Sequence, residues 1–280
     1  NTNIDNFIPF KDIQDQYIVY EDYYAGVLQI DPREFRLLTG FRQDQIIDAH
    51  FGKIIRSING TTRASIVKID RKLLLDDYIA AEEEKQKQIE KLYEAKSITR
   101  EELSARTKII QDRIQIYIRM SGDNVIKKPF YYLVVYDSNK SAINEIFKHG
   151  MATLLEAGMT SKVLSGKELA IFLKYNYTDN FEESDVEQLR PEEILPWIKP
   201  AEIQFTTNST FIDGVETFNY TIRNFPLTVL NAWGYQMFNI EGTKVVMNLE
   251  PYEKRKAVKM LDRSIQELAS QSEQSFKASS

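Results

Sequence analysis

The sequence predicts an α+β fold: a mixed or antiparallel sheet with helices packed on one face. Two observations carry this. Segments of strand length, chiefly Tyr24–Ile30, Thr62–Ile69 and Phe130–Tyr136, are apolar or alternate at the period of a pleated strand. Between them, Ile46–Ile58 and Lys140–Ala157 repeat apolar residues every third or fourth position, the spacing of an amphipathic helix. Strands that alternate with single helices give an open-faced sandwich. No segment repeats at the period of a solenoid.

Taken in order, residues 12–30 read as two strands around the acidic turn Glu21-Asp22: Tyr17 and Val19, then Tyr24, Val27, Leu28 and Ile30. The turn lacks the Asn-Gly or Asp-Gly pair of a tight hairpin. A helix follows through Ile46, Ile47, His50, Phe51, Ile54, Ile55 and Ile58, closed by Asn59-Gly60. Thr62–Ile69 is the third strand. A long charged antiparallel helical hairpin is expected over about 72–119. Its halves divide at Lys96-Ser97-Ile98, and Thr99-Arg100-Glu101-Glu102 has the spacing of a capping box. The first half offers no large apolar side chain between Ala80 and Gln88; the second carries Leu103, Ile110, Ile114, Tyr117 and Ile118. Such a hairpin is packed at its base and solvated midway, and reads equally as a scaffold arm or a docking arm.

Phe130–Tyr136 is the strongest strand and belongs at the centre of a sheet. The helix after it runs from about Lys140 to Ala157 and stops at Gly158; a shorter one with Leu169, Ile171 and Phe172 follows Ser165-Gly166. Asn176–Pro200 is acidic, with Pro191, Pro196 and Pro200, and reads as a linker. Beyond it a smaller C-terminal ββαβα module is expected. It has a strand through Phe218, Tyr220 and Ile222, a helix entered at Pro226, a strand through Val245, Met247 and Leu249, and a basic helix from Pro251 to Leu268. The organisation is therefore an α+β lobe over 1–175, a linker over 176–200, a second lobe over 201–271 and a disordered tail over 272–280.

The chain has 280 residues, 42% hydrophobic and 28% charged, enough for one large core or two modest ones. Its net charge of −5 argues against a surface that embraces nucleic acid all round, and specific nucleic-acid binding is not expected. Zero cysteines exclude disulfides and thiolate chemistry. No apolar run approaches the roughly 20 residues of a spanning helix. The start Asn1-Thr2-Asn3 has neither Met nor a signal pattern and reads as processed or subcloned. The Asn-x-Ser/Thr triplets at Asn59, Asn176, Asn208 and Asn219 are read as chance matches.

The stretch Ser161–Glu168 approaches a phosphate-binding loop but lacks the first glycine, and Glu168 stands where a hydroxyl is needed. His50 and His149, the two histidines, lie far apart on helices and are read as structural. Carboxylate pairs such as Asp76-Asp77 and Glu192-Glu193 sit in charged, solvated stretches. No catalytic, cofactor-binding or metal-binding residue is assigned. The basic cluster Lys254, Arg255, Lys256, Lys259 and Arg263 reads as a solvated face or as contact with DNA, an anionic membrane surface or an acidic partner.

A resemblance narrows the function. Tyr220-Thr221-Ile222-Arg223-Asn224-Phe225-Pro226, with Trp233-Gly234 after it, resembles a segment of the type IV secretion and conjugative-transfer ATPases of the TraC/TrbE/CagE, VirB-family kind. Tyr23–Ile30 with Phe35–Thr39, and Leu154–Met159 with Leu164–Leu169, are similar to stretches of the same family, in the same order. The resemblance implies an N-terminal docking and assembly domain, non-catalytic by itself, with ATP and Mg²⁺ expected only for a motor half beyond Leu268. It implies a cytoplasmic location, peripheral to the inner face of the membrane. Membrane components of the channel are the implied partners, with a homo-oligomer in the full-length parent. The candidate partner-binding residues are Glu82, Glu83, Lys87 and Arg106 on the arm, Phe225 and Trp233 in the C-terminal module, and Lys254, Arg255 and Lys259 on the last helix. The alternative is a free-standing scaffold or adaptor that oligomerises through its hairpin, and a third reading is an enzyme whose site the sequence hides.

Overall fold

A computed structural model describes residues 8–32, 38–72, 75–122, 127–220 and 243–251, with Val258, Lys259, Asp262, Arg263 and Gln266 beyond them. It is a mixed α and β structure built on antiparallel sheets. Strands β1 (Asp12–Gln14) and β2 (Tyr17–Val19) pair across a tight turn in which Asp15 takes φ 53°. β2 pairs with β3 (Tyr24–Asp31), as the tyrosine-rich hairpin pattern predicts; the Tyr20 N–H donates to Tyr23 O at 3.0 Å to close the acidic turn. The next helix starts earlier than its apolar pattern: α1 (Gly40–Gln45) continues through a π-helical turn (Ile46–Phe51) into α2 (Gly52–Ser57). Gly60 at φ 64° turns the chain into β4 (Arg63–Lys72).

Helices α3 (Leu75–Glu94) and α4 (Arg100–Gly122) come next. The capping box forms: Glu102 N–H donates to Thr99 Oγ1 at 3.2 Å and Thr99 N–H to Glu102 Oε2 at 2.9 Å. β5 (Lys127–Asp137) then lies between β3 and β4, the central place its apolar run predicts. α5 (Lys140–Glu156) is capped by Asn139, whose side chain accepts from the Ser141 N–H. It ends in a Schellman motif, with Met159 N–H on Leu154 O and Gly158 N–H on Leu155 O, both at 2.9 Å. Gly158 takes the φ of 77° that this stop requires. β6 (Thr160–Val163) pairs with the outer half of β3, and α6 (Gly166–Lys174) follows.

The sheet order is β1-β2-β3-β5-β4, extended at its β4 edge by β10 (Val245–Leu249). Helices cover both faces of this sheet, where one covered face was expected. The reason is visible within β5. Leu133 and Val135 point into a core with Ile54, Ile143, Phe147 and Leu154. Tyr132 and Val134 point the other way, into a core with Leu169, Phe172 and Leu173. A strand apolar on both sides needs cover on both. Residues 176–200, read from sequence as a linker, belong to the second of these cores: Phe181, Val186 and Ile198 are buried there. They include a 3-10 turn (Glu183–Gln188) and α7 (Pro191–Ile198), with Pro191 in the first helical turn.

A separate small sheet joins β7 (Ile203–Phe205), β8 (Thr210–Ile212) and β9 (Val215–Thr217). Here the expected strand through Phe218 and Tyr220 is corrected: β9 ends at Thr217, and Tyr220 is 89% exposed. Asp213-Gly214, at φ 50° and 81°, makes a tight primed turn, and its register assigns Val215–Thr217 to the pairing. Ile222, the helix entered at Pro226 and most of the basic helix lie outside the described residues. β10, expected in a C-terminal module, pairs instead with β4 from Val245 opposite Lys68 to Leu249 opposite Ala64.

Candidate partner-docking surfaces

Where β4 begins and β5 ends, the register sets Arg63 beside Tyr136. The Tyr20–Tyr23 turn lies on one flank of this corner and the end of β10 on the other. Together they line an open cleft of about 770 Å³ whose walls include Pro9, Tyr20, Tyr23, Arg63, Tyr136, Leu249 and Glu250. Tyr20 and Tyr23 stack with ring centroids 4.4 Å apart, and Tyr136 meets both edge-on at 6.4 and 6.2 Å. Thr62 Oγ1 donates to Asp137 Oδ2 at 2.6 Å, and the other carboxylate oxygen accepts from Asn139 N–H at 2.8 Å, so the rim is pinned to the start of α5.

Burial raises the phenols of Tyr20 and Tyr136 above their ordinary range, Tyr20 further through its neighbours Tyr136 and Tyr23. They remain neutral at physiological pH. The cleft thus presents ring faces and uncharged hydroxyls. Its rim charges are Arg63 and Glu250, 4.0 Å apart and both largely in water, a pairing of little strength. An adjoining space of about 230 Å³ shares Tyr20, Ser65, Tyr136 and Asn248. Lys244 lies at its edge. Its ammonium donates to Asn176 Oδ1, and although much of the side chain is open to water, burial of the charged end lowers its pKa to about 8. Ser65 Oγ is committed to Asn248 Oδ1 at 2.8 Å. An aromatic-walled cleft with a charged rim suits non-covalent capture of a chain segment. The sequence reading did not reach this cleft. Its signal was Tyr17, Tyr20, Tyr23 and Tyr24 gathered around one turn.

The arm residues are dispersed by the structure. Tyr78 of α3 meets Tyr117 of α4 at 6.0 Å, and Glu82 lies 3.6 Å from Arg113, so the two helices face each other. Glu82 is only 4% exposed. It lies under the side chains of Lys85, at 2.5 Å, and Arg113, and its pKa is lowered first by the Lys85 hydrogen bond. The placement of Glu82 at the seam means that α3–α4 contact, not solvent, uses it. Glu83, Lys87 and Arg106 are exposed, Lys87 beside Glu84 at 3.9 Å. Lys259 is exposed and helical. Phe225, Trp233, Lys254 and Arg255 lie outside the described residues.

Among the described residues no group of three or more His, Asp or Glu side chains is arranged to hold a metal ion, and no helix is long and apolar enough to cross a membrane. His50 Nδ1 is buried without a hydrogen bond, 3.8 Å from Glu156. A buried charge cluster around Arg71 is closed on itself. Arg71 donates to Glu183 through Nε and Nη2 and to the Tyr132 hydroxyl through Nη1, and Tyr175 also donates to Glu183. Comparison with known proteins gives no match, either to a family model or to a curated sequence.

Proposed function

We propose that this chain is an attachment platform: a non-catalytic docking and assembly domain of a conjugation or type IV secretion ATPase. In this reading α3 and α4 form the charged antiparallel arm over about 72–119, and β7–β9 belong to a C-terminal module that leads toward the motor half. The domain would lie in the cytoplasm against the inner face of the membrane, its partners the channel's membrane components. ATP and Mg²⁺ would bind only in the motor.

One observation supports this reading above the others. The family-like segments Tyr23–Ile30, Leu154–Met159 and Leu164–Leu169 lie far apart in sequence, yet they meet around one strand. Leu164 N–H donates to Val27 O at 2.9 Å, β6 between the latter two segments pairs with β3, and Leu28 shares a core with Leu154. Segments that resemble one family in succession and pack as one unit are what a shared domain requires. The tyrosine cleft and the exposed arm then supply two surfaces to dock on.

The test is the native reading frame after residue 280 together with an ATPase assay of the purified chain. A strand, a Gly-rich loop ending Gly-Lys-Ser/Thr and a helix within about one domain's length supports the motor reading. A frame that stops near Ser280, or ATP turnover by the chain itself, overturns it. The second reading, a free-standing adaptor that associates through the arm, is favoured by Ile109 and Ile116, each more than half exposed on α4.

A further inference from the structure

Among the described residues the main sheet ends at two edges, β1 and β10. An exposed edge is a template for another chain, and proteins blunt theirs with short strands and charges. β1 is blunted in this way. It is three residues long, and the Asp12 carboxylate accepts the Ile13 N–H at 2.8 Å. β10 is not. Val245–Leu249 contains no charge, proline or glycine, and its side away from β4 meets no described strand. Val246 is 47% exposed and Met247 39%, and as neighbours on a strand they point to opposite faces. The edge is therefore apolar above and below the sheet. Charges stand only at its ends, Lys244 before it and Glu250 after it.

We propose that β10 is a self-association edge: a second copy adds its own β10 antiparallel about a two-fold axis through Met247, and one sheet runs through both copies. The choice of a second copy rests on charge complementarity. About that axis, the residue three places before Met247 lies opposite the residue three places after it in the other copy. Lys244 therefore faces Glu250 of the second copy at one end, and Glu250 faces its Lys244 at the other. No like charges meet. Between these ends Val245 faces Leu249, Val246 faces Asn248 and Met247 faces its own counterpart, at the close spacing of cross-strand pairs. Neither charge is held by a strong opposite partner within the chain. The Lys244 ammonium donates to the neutral Asn176 Oδ1, and Glu250 lies 4.0 Å from Arg63 with both side chains largely in water. A strand from another protein would need this same order of charges; a second β10 carries it already.

The chain contains no cysteine, so an introduced thiol is unique. Met247→Cys sets two thiols directly opposite each other on the axis, within disulfide reach, and mild oxidation is expected to link it into a dimer. Val245→Cys is expected to stay unlinked, because its counterpart lies four residues away along the strand, about 14 Å. By light scattering the unmodified chain is expected to be a dimer. Lys244→Glu alone and Glu250→Lys alone each put like charges at both ends, and each should weaken the dimer about tenfold with unchanged circular dichroism. Lys244→Glu/Glu250→Lys in one chain should restore it, and mixing the two single variants should give a heterodimer. A monomeric unmodified chain overturns the proposal. So does a dimer indifferent to both reversals, or linkage of Val245→Cys as fast as Met247→Cys. Should a reversed variant fail to fold, the two cysteine variants still decide. None of these outcomes bears on the downstream motor, so the docking reading stands or falls separately.

Discussion

Arg71, in the last turn of pairing of β4, grips Glu183 with two parallel hydrogen bonds of 2.9 and 2.5 Å across more than a hundred residues of sequence. The fork is largely dry, with side chains 14% and 7% exposed, and the guanidinium lies 4.4 Å over the Phe130 ring. Burial opposes the charge on Arg71, but the Glu183 and Tyr132 contacts outweigh it and hold the guanidinium firmly protonated. This clamp ties the acidic 176–200 stretch to the sheet, aided by Lys72, which donates to Phe181 O at 3.0 Å and Glu182 at 2.8 Å.

Removing one partner therefore strands a buried charge. Glu183→Ala is expected to cost about 3–5 kcal/mol in urea unfolding. The Arg71→Met/Glu183→Leu pair, which removes both charges, should cost much less. Equal losses in the single and double variants would show that the clamp contributes shape rather than charge pairing.

Gly26 is fixed by a close approach rather than by its backbone angle. A methyl group there would sit 2.6 Å from Phe147 Cε2 and 2.8 Å from Ile143 Cγ2, both on α5 and both buried. Neither can step aside in a packed core. Gly26→Ala is expected to destabilise by about 1–3 kcal/mol. Gly40, with open space around its Cα, provides the control: Gly40→Ala should be neutral or slightly stabilising by thermal unfolding.

These contacts show which parts of the fold were legible. Strand periods located β3, β4 and β5, and Thr99–Glu102 located the start of α4, because those signals are local. The second covered face was written in Leu133 and Val135 as well as Tyr132 and Val134, a run apolar on both sides that the one-face reading passed over. The place of 176–200 was not legible, since its charges and prolines carry the same composition as a linker. Glu183 is buried by its hydrogen bonds to Tyr175 and to the distant Arg71. The cleft depends likewise on Tyr20, Tyr136 and Leu249, brought together by a strand order that no local pattern encodes.

The α4 start can be tested by itself. Thr99 and Glu102 satisfy each other's backbone N–H groups at an exposed end of the helix, so their effect should be local. Thr99→Ala is expected to weaken the first turn of α4 by about 1 kcal/mol. In hydrogen exchange, the amides of Leu103 and the residues just after it should lose protection while those of β5 keep theirs. Unchanged exchange at the start of α4 would mean that contact with α3, not the cap, fixes that end.

Alkaline pH gives a last, collective test of the tyrosine-lined core. Burial is the first cause raising Tyr20, Tyr132, Tyr136, Tyr175 and Tyr177, with Tyr177 pushed up to about 12 from the ordinary 10.0. The sign follows from proton binding. Above pH 10 the unfolded chain releases these protons while the folded chain still holds them, so stability is intact below about pH 10 and falls as pH climbs toward the folded values. Absorbance at 295 nm against pH, paired with circular dichroism, is expected to show two phases. The exposed members of the 15 tyrosines ionise reversibly near pH 10, and the buried ones ionise only as the fold is lost. Tyr20→Phe should remove amplitude from the second phase alone. A single ionisation step near pH 10 with ellipticity unchanged would mean that water reaches these phenols in the folded protein, and the cleft would then lack its neutral aromatic wall.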